Sequence, residues 1–148
     1  VALFSDQIKA LSPLNTRSMT VRNAILSLNK DMVANGTLDA ANLKISRGGL
    51  PAVNTFAATA SVGENKITAN WTAVTGSTIT AKAIVVVVAV DKAANAAYVG
   101  SALNTAGTLE ISGTFNAANN LDCYAYLLDF RGSAKVGSVS VHKQVTPA

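Results

Sequence analysis

The most distinctive pattern in the chain is Ala83-Ile84-Val85-Val86-Val87-Val88-Ala89-Val90, an unbroken apolar run between Lys82 and Asp91-Lys92. It is far shorter than the roughly 20 residues of a membrane-crossing helix, and its β-branched content predicts a strand. A strand apolar at every position is buried on both faces. One cover is the facing sheet of a sandwich, and the other is either the N-terminal helical segment or a neighbouring subunit.

The first 36 or so residues carry a helical pattern. Ser5 and Asp6 are positioned to cap a short helix running through Leu11 and stopped by Pro13. Thr16 or Thr20 caps a second helix, in which Val21, Ile25, Leu28 and Met32 form one apolar stripe, and Asn35-Gly36 supplies a left-handed exit.

After Gly36 the period changes from helical to strand-like. Strands are predicted at Leu43 to Ser46, Thr55 to Val62, Lys66 to Thr72, Lys82 to Val90, Ala97 to Ser101, Thr108 to Ser112, Leu121 to Phe130 and Ala134 to His142. Turns fall at Gly63-Glu64-Asn65, Gly76-Ser77, Asn104-Thr105, Asn116 to Asn120 and Arg131-Gly132-Ser133. Such regular spacing is the rhythm of an antiparallel sandwich. The alternation in Ile67-x-Ala69-x-Trp71 turns the indole into the core beside Phe56, Ala58 and Ala60. Tyr124, Tyr126, Leu128 and Phe130 share a face. In the last strand Val136, Ser138, Ser140 and His142 face one way and Gly137, Val139 and Val141 the other. The chain therefore divides into a helical appendage and connector, 1–50, and a β-sandwich domain, 51–148.

Composition narrows the function. Charged residues make up only 14% of the 148, against roughly 25% in an ordinary soluble domain, which favours a protein partly covered by partners or an extracellular one. The net charge of +4 comes from basic residues spread singly along the chain, so no nucleic-acid footprint is present. The single cysteine, Cys123, lies in an apolar strand pattern and reads as a small buried hydrophobe. The chain starts at Val1 with no methionine and no signal-peptide pattern after it, which leaves removal of residues or an unseen preceding segment open.

Candidate chemistry is sparse. His142, the one histidine, has no activated Ser or Cys placed beside it by the sequence, and reads as an exposed residue near a strand end. Metal binding by several His or Cys is excluded by count. Asp122, Asp129, Glu110, Asp91 and Glu64 are the carboxylates that a glycosidase-like pair would draw on. Asp91 beside Lys92, and Asp129 near Arg131, read instead as turn chemistry and gatekeeping around strands. Arg47 in Ser46-Arg47-Gly48-Gly49 sits in a possible anion nest, with capping of the helix or pairing with Asp39 as the structural reading. Sugar binding would need an exposed aromatic platform. Trp71 is assigned to the core, leaving Tyr98 alone.

Trp71 early and Tyr124 and Tyr126 late resemble the fibronectin type III branch of the immunoglobulin-like sandwiches. A second resemblance rests on Asn23-Ala24-Ile25-Leu26-Ser27-Leu28-Asn29-Lys30, on Leu43-Lys44-Ile45-Ser46-Arg47-Gly48-Gly49-Leu50, on the Trp71 strand and on Tyr124-Ala125-Tyr126-Leu127. In this order they are similar to a domain-of-unknown-function family of Bacteroidota and their phages, which brings no established activity. The combined expectation is a mainly β protein, an antiparallel immunoglobulin-like (fibronectin-III-like) β-sandwich with a short helical N-terminal appendage. It is expected to be a non-enzymatic structural or decorating virion component, on capsid or tail, with no catalytic, cofactor or metal residues. Its expected partners are other virion proteins or copies of itself, without nucleic acid or a membrane span. A cell-surface adhesion or carbohydrate-binding module is the alternative, with an extracellular location.

Overall fold

A computed structural model describes residues 1–14, 19–36 and 39–148. Thr16, one of the two cap candidates, lies outside them. The other candidate, Thr20, caps α1 (Val21–Leu28), its side-chain oxygen accepting from Asn23 N at 3.2 Å. Val21, Ala24 and Ile25 form its buried face. The predicted first helix is instead a chain of turns ending in a single 3-10 turn, Lys9–Leu11, with no side-chain cap. Phe4 and Ile8 are its anchors, both fully packed, so burial of two apolar side chains holds this segment without helix continuity.

The single predicted helix through Met32 is broken at Asn29, and α2 (Lys30–Ala34) follows. Asn29 is buried, and its amide donates to Ile25 O at 2.8 Å and to Lys44 O, while its side-chain oxygen accepts from Lys44 N at 2.8 Å. The side chain pairs with Lys44 as a strand backbone would. Val33 beyond the break is exposed, and Gly36 makes the expected left-handed exit at φ 72°.

The strands are β1 (Asn54–Ser61), β2 (Lys66–Thr72), β3 (Ile84–Asp91), β4 (Ala96–Leu103), β5 (Thr108–Ser112), β6 (Leu121–Arg131), β7 (Ala134–Gly137) and β8 (Val141–Val145). They form two antiparallel sheets, a three-stranded one ordered β1-β2-β5 and a five-stranded one ordered β4-β3-β6-β7 with β8 also on β6. Packed face to face they make the expected β-sandwich. Asn65 and Asn95, both at φ 54°, close the β1–β2 and β3–β4 hairpins, asparagine tolerating the left-handed region better than most residues.

The apolar run becomes β3, covered on both sides. Val85, Val87 and Ala89 face the sandwich interior with Trp71, Ile67, Ile111 and Leu127. Val86 and Val88 face the other way with Tyr124, Tyr126 and Leu128, under Phe4, Ile8, Ile25, Leu43 and Ile45. The second cover is thus the chain's own N-terminal segment, and no neighbouring subunit is needed to bury it. Each valine removed from water contributes roughly 1.5–3 kcal/mol.

Two expectations near the C-terminus fail for one reason. The last strand is not continuous: β7 pairs Leu128↔Gly137 and β8 pairs Ala125↔Val141, so three residues, Ser138 to Ser140, oppose two on β6. This bulge inverts the alternation downstream. Val136 and Val141, expected on opposite faces, both pack against the sandwich core, and His142 turns outward. The predicted strand Leu43 to Ser46 is also absent. Its residues run as an irregular connector beside the bulge, where Ile45 N donates to Ser140 Oγ at 2.9 Å and Ser140 N to Ser46 O at 3.3 Å. A serine hydroxyl takes the place of a ladder acceptor, so the segment is fastened without becoming a strand.

Candidate functional site

The N-terminal segment crosses the end of the five-stranded sheet and leaves a cleft of about 240 Å³ lined by Phe4, Leu43, Val90, Lys92, Asp122 and Tyr124 among others. The floor is apolar because β3 and β6 present their outward faces here. Tyr124 OH donates to Ala40 O at 2.6 Å. Burial first, then the charges of Asp122 and Asp39, push the Tyr124 phenol well above its ordinary range, so it serves as a neutral donor.

Asp122 lies at the rim, and its Oδ1 is 2.8 Å from His142 Nε2. Both side chains are about 15% exposed, and the imidazole leans against the Tyr124 ring at a centroid distance of 5.1 Å. The sequence names both residues without bringing them together. In an unbroken last strand the β7 register would set His142 opposite Cys123 on the interior face; the one-residue bulge moves it opposite Tyr124, diagonal to Asp122. The Ser138-Val139-Ser140 stretch, with two hydroxyls able to replace ladder acceptors, is the only sequence signal for that bulge.

An imidazole–carboxylate pair activates a nucleophile only when one is in reach. Among the described residues no hydroxyl or thiol is bonded to the His142 ring, whose partner is Asp122; Ser138 Oγ accepts from Leu127 N at 2.8 Å and donates to Val139 O, and Ser140 Oγ accepts from Ile45 N. Cys123 points into the sandwich interior, and burial pushes its thiol up to about 12. What the cleft can do is accept a small apolar group with a cationic or hydroxyl end toward Asp122.

The other carboxylates do not converge. Asp91 is buried, and its Oδ1 accepts from Ala94 N at 3.0 Å within the β3–β4 turn. Burial works to raise the Asp129 pKa, but bonds from Thr80 Oγ1, Thr80 N and Phe130 N, with the Arg131 charge, outweigh it and hold the carboxyl below the ordinary range. Asp129 thereby ties the loop before β3 to β6. Glu64 and Glu110 both meet Lys66, at 3.5 and 3.1 Å, on the exposed face of the three-stranded sheet. Among the described residues, no three His, Cys, Asp or Glu side chains are grouped to hold a metal ion.

Arg47 is exposed and makes no ion pair among the described residues; Asp39 accepts instead from Ala41 N and Asn42 Nδ2. The glycine beside it has a packing cause. Gly48 lies at φ 151°, and a Cβ there would collide with the Gly137 carbonyl. Tyr98 donates to Thr114 O at 3.0 Å and meets Phe115 edge-on at 5.2 Å, so it belongs to the core. Trp71 is 6% exposed, as its alternation predicts.

Comparison of the chain with protein-family models, curated proteins and solved structures returns no match. Among the described residues no helix is long and apolar enough to cross a membrane.

Proposed function

We propose that this protein is a non-enzymatic structural domain working through protein–protein contacts, a virion component on the capsid or tail of a bacteriophage of Bacteroidota. What supports contact over chemistry is the fate of the reactive side chains. The thiol is sealed in the core, Ser138 and Ser140 at the bulge are bonded to backbone groups, and the phenols of Tyr124 and Tyr126 donate to main-chain carbonyls of the N-terminal segment, Ala40 and Leu11.

The virion setting follows from the family resemblance of the helical, connector and aromatic segments together with the weakly charged surface. The strand order supports the fibronectin-III-like form of the sandwich: first, second and fifth strands in one sheet, third, fourth and sixth in the other with the seventh and eighth, the two halves of the bulged last strand, beside the sixth. A glycan-binding role would draw on an exposed stacking platform, whereas Phe4, Trp71, Phe115, Tyr124 and Tyr126 are buried in the two cores and Phe56, Tyr98 and Phe130 are half-buried against them.

Mass spectrometry of purified, nuclease-treated phage particles from a Bacteroidota culture expressing the chain tests the reading. Peptides of the chain in intact particles, at a copy number comparable with other shell proteins, are expected. A chain abundant in the lysate and missing from the particles overturns it.

A further inference from the structure

We propose that β4 pairs edge to edge with β4 of a second copy of this chain, antiparallel across a two-fold axis at Ser101. The β3–β4 register runs without interruption from Ile84↔Leu103 to Asp91↔Ala96, and Asn104 N donates to Ala83 O at the next position. Bonded pairs alternate along an antiparallel ladder. Ala96, Tyr98, Gly100 and Ala102 therefore direct their backbone groups to β3, while Ala97, Val99, Ser101 and Leu103 direct theirs outward. Gln7 Nε2 reaches Ala97 O at 3.4 Å. Among the described residues no bond reaches the backbone of Val99, Ser101 or Leu103.

The contrast with the other edges is what marks β4. Strand β1 is irregular between Asn54 and Ala57, and its end bonds Ala148 through Val62 N and Ala60 O. Strand β5 is five residues long and carries Glu110. The β7–β8 edge is bulged, carries Lys135 and Lys143, and is flanked by the connector. Charges, bulges, shortness and cover are the devices that keep sheet edges from pairing. Strand β4, Ala-Ala-Tyr-Val-Gly-Ser-Ala-Leu, has none of them from Tyr98 to Leu103, Gln7 reaching only the Ala97 carbonyl at its start.

The strand also complements itself. With Ser101 on the axis, Val99 falls opposite Leu103 of the second copy, and both lie on the face covered by the N-terminal segment. Leu103 is 50% exposed, the most exposed large hydrophobic residue among those described, and this register covers it. No like charges oppose one another, because the strand has no charge. The two five-stranded sheets would then form one continuous sheet through the dimer. The pairing rests on the edge alone and does not depend on the virion setting.

Ser101→Cys tests the register, since bonded antiparallel partners sit about 5.5 Å apart at Cα, within disulfide reach, and the native thiol is buried. The expected results are a native mass of twice 15.1 kDa for the wild-type chain, a covalent dimer of Ser101→Cys under mild oxidation, and a folded monomer for Val99→Lys. A wild-type monomer at every concentration up to about 1 mM, a range that reaches weak pairs, overturns the pairing, as does a dimer that Val99→Lys leaves intact. The same variant read by circular dichroism separates loss of pairing from loss of fold. Pairing with an extended segment of another protein in place of a second copy would show as the monomer result. That result would leave the particle experiment above to decide the proposed function separately.

Discussion

The indole Nε1 of Trp71 donates to the main-chain carbonyl of Asn104 at 2.9 Å, and the Asn104 side chain clasps Val74 from both sides, accepting from its N at 2.9 Å and donating to its O at 2.8 Å. One buried asparagine thus ties β2, the loop after it and the end of β4 together. Trp71→Ala is expected to cost roughly 3–5 kcal/mol, the range for a large aromatic truncated in a core. Asn104→Ala leaves both Val74 groups unpaired, at roughly 1–3 kcal/mol each. Urea unfolding followed by circular dichroism measures both; an unchanged midpoint for either would contradict this arrangement.

Neighbouring glycines should respond in opposite ways. At Gly48 a Cβ meets the Gly137 backbone, whereas at Gly49 it meets nothing within 4 Å. Gly48→Ala is expected to lose at least about 2 kcal/mol, as overpacking against a main chain does, while Gly49→Ala stays within about 0.5 kcal/mol of wild type, as surface substitutions do. Equal melting temperatures for the two variants would mean that the connector does not cross the last strand at this point.

Acid should loosen the loop that Asp129 holds. Its folded-state pKa is depressed, so the ionised form favours the fold above the ordinary value of 3.8, and that contribution is lost as pH falls through the lower folded value. Wild-type protein should therefore lose more stability between about pH 5 and about pH 2 than Asp129→Asn does. Parallel losses would show that Asp129 carries none of the acid sensitivity.

Alkali acts through both faces of β6, Cys123 on the sandwich side and Tyr124 and Tyr126 on the side of the N-terminal segment. Burial keeps the Cys123 thiol protonated up to about 12, against 9.0 for the free group, and raises Tyr126 and Tyr124 above 10.0 by the same cause. In the unfolded chain these groups ionise first, so stability is whole below about pH 9 and declines as pH rises beyond it. At about pH 8, near the ordinary thiol pKa, a thiol reagent should leave the native protein unmodified and label Cys123 completely in denaturant. Rapid labelling of the native chain would place the thiol outside the core.

Residue types and their spacing made most of the sandwich legible. Lys66–Thr72 and Thr108–Ser112 have the predicted ends, and the doubly apolar β3 implied both of its covers. Two of the missed features come from side chains acting as backbone. Asn29 interrupts the apolar stripe of α1 because its amide pairs with Lys44, 15 positions away, and Ser140 substitutes for a ladder acceptor at the bulge. Neither partner is visible in a local pattern, since each lies in another element. The Asp122–His142 pair was hidden by the same bulge: a shift of one residue changes which face a histidine occupies.

The N-terminal cover also has a consequence for how the chain is made. Leu11 and the Tyr126 hydroxyl that binds its carbonyl are 115 positions apart, so this segment leaves the ribosome long before β6 and finds its docking surface only after β6 has emerged. Until then Phe4, Ile8 and Ile25 have nothing to lie on, and β3 waits with one face bare. A polysome crowded with such half-built chains would let the leading segment of one copy settle on the finished sheet of its neighbour, a swap that uses the same contacts in the same order.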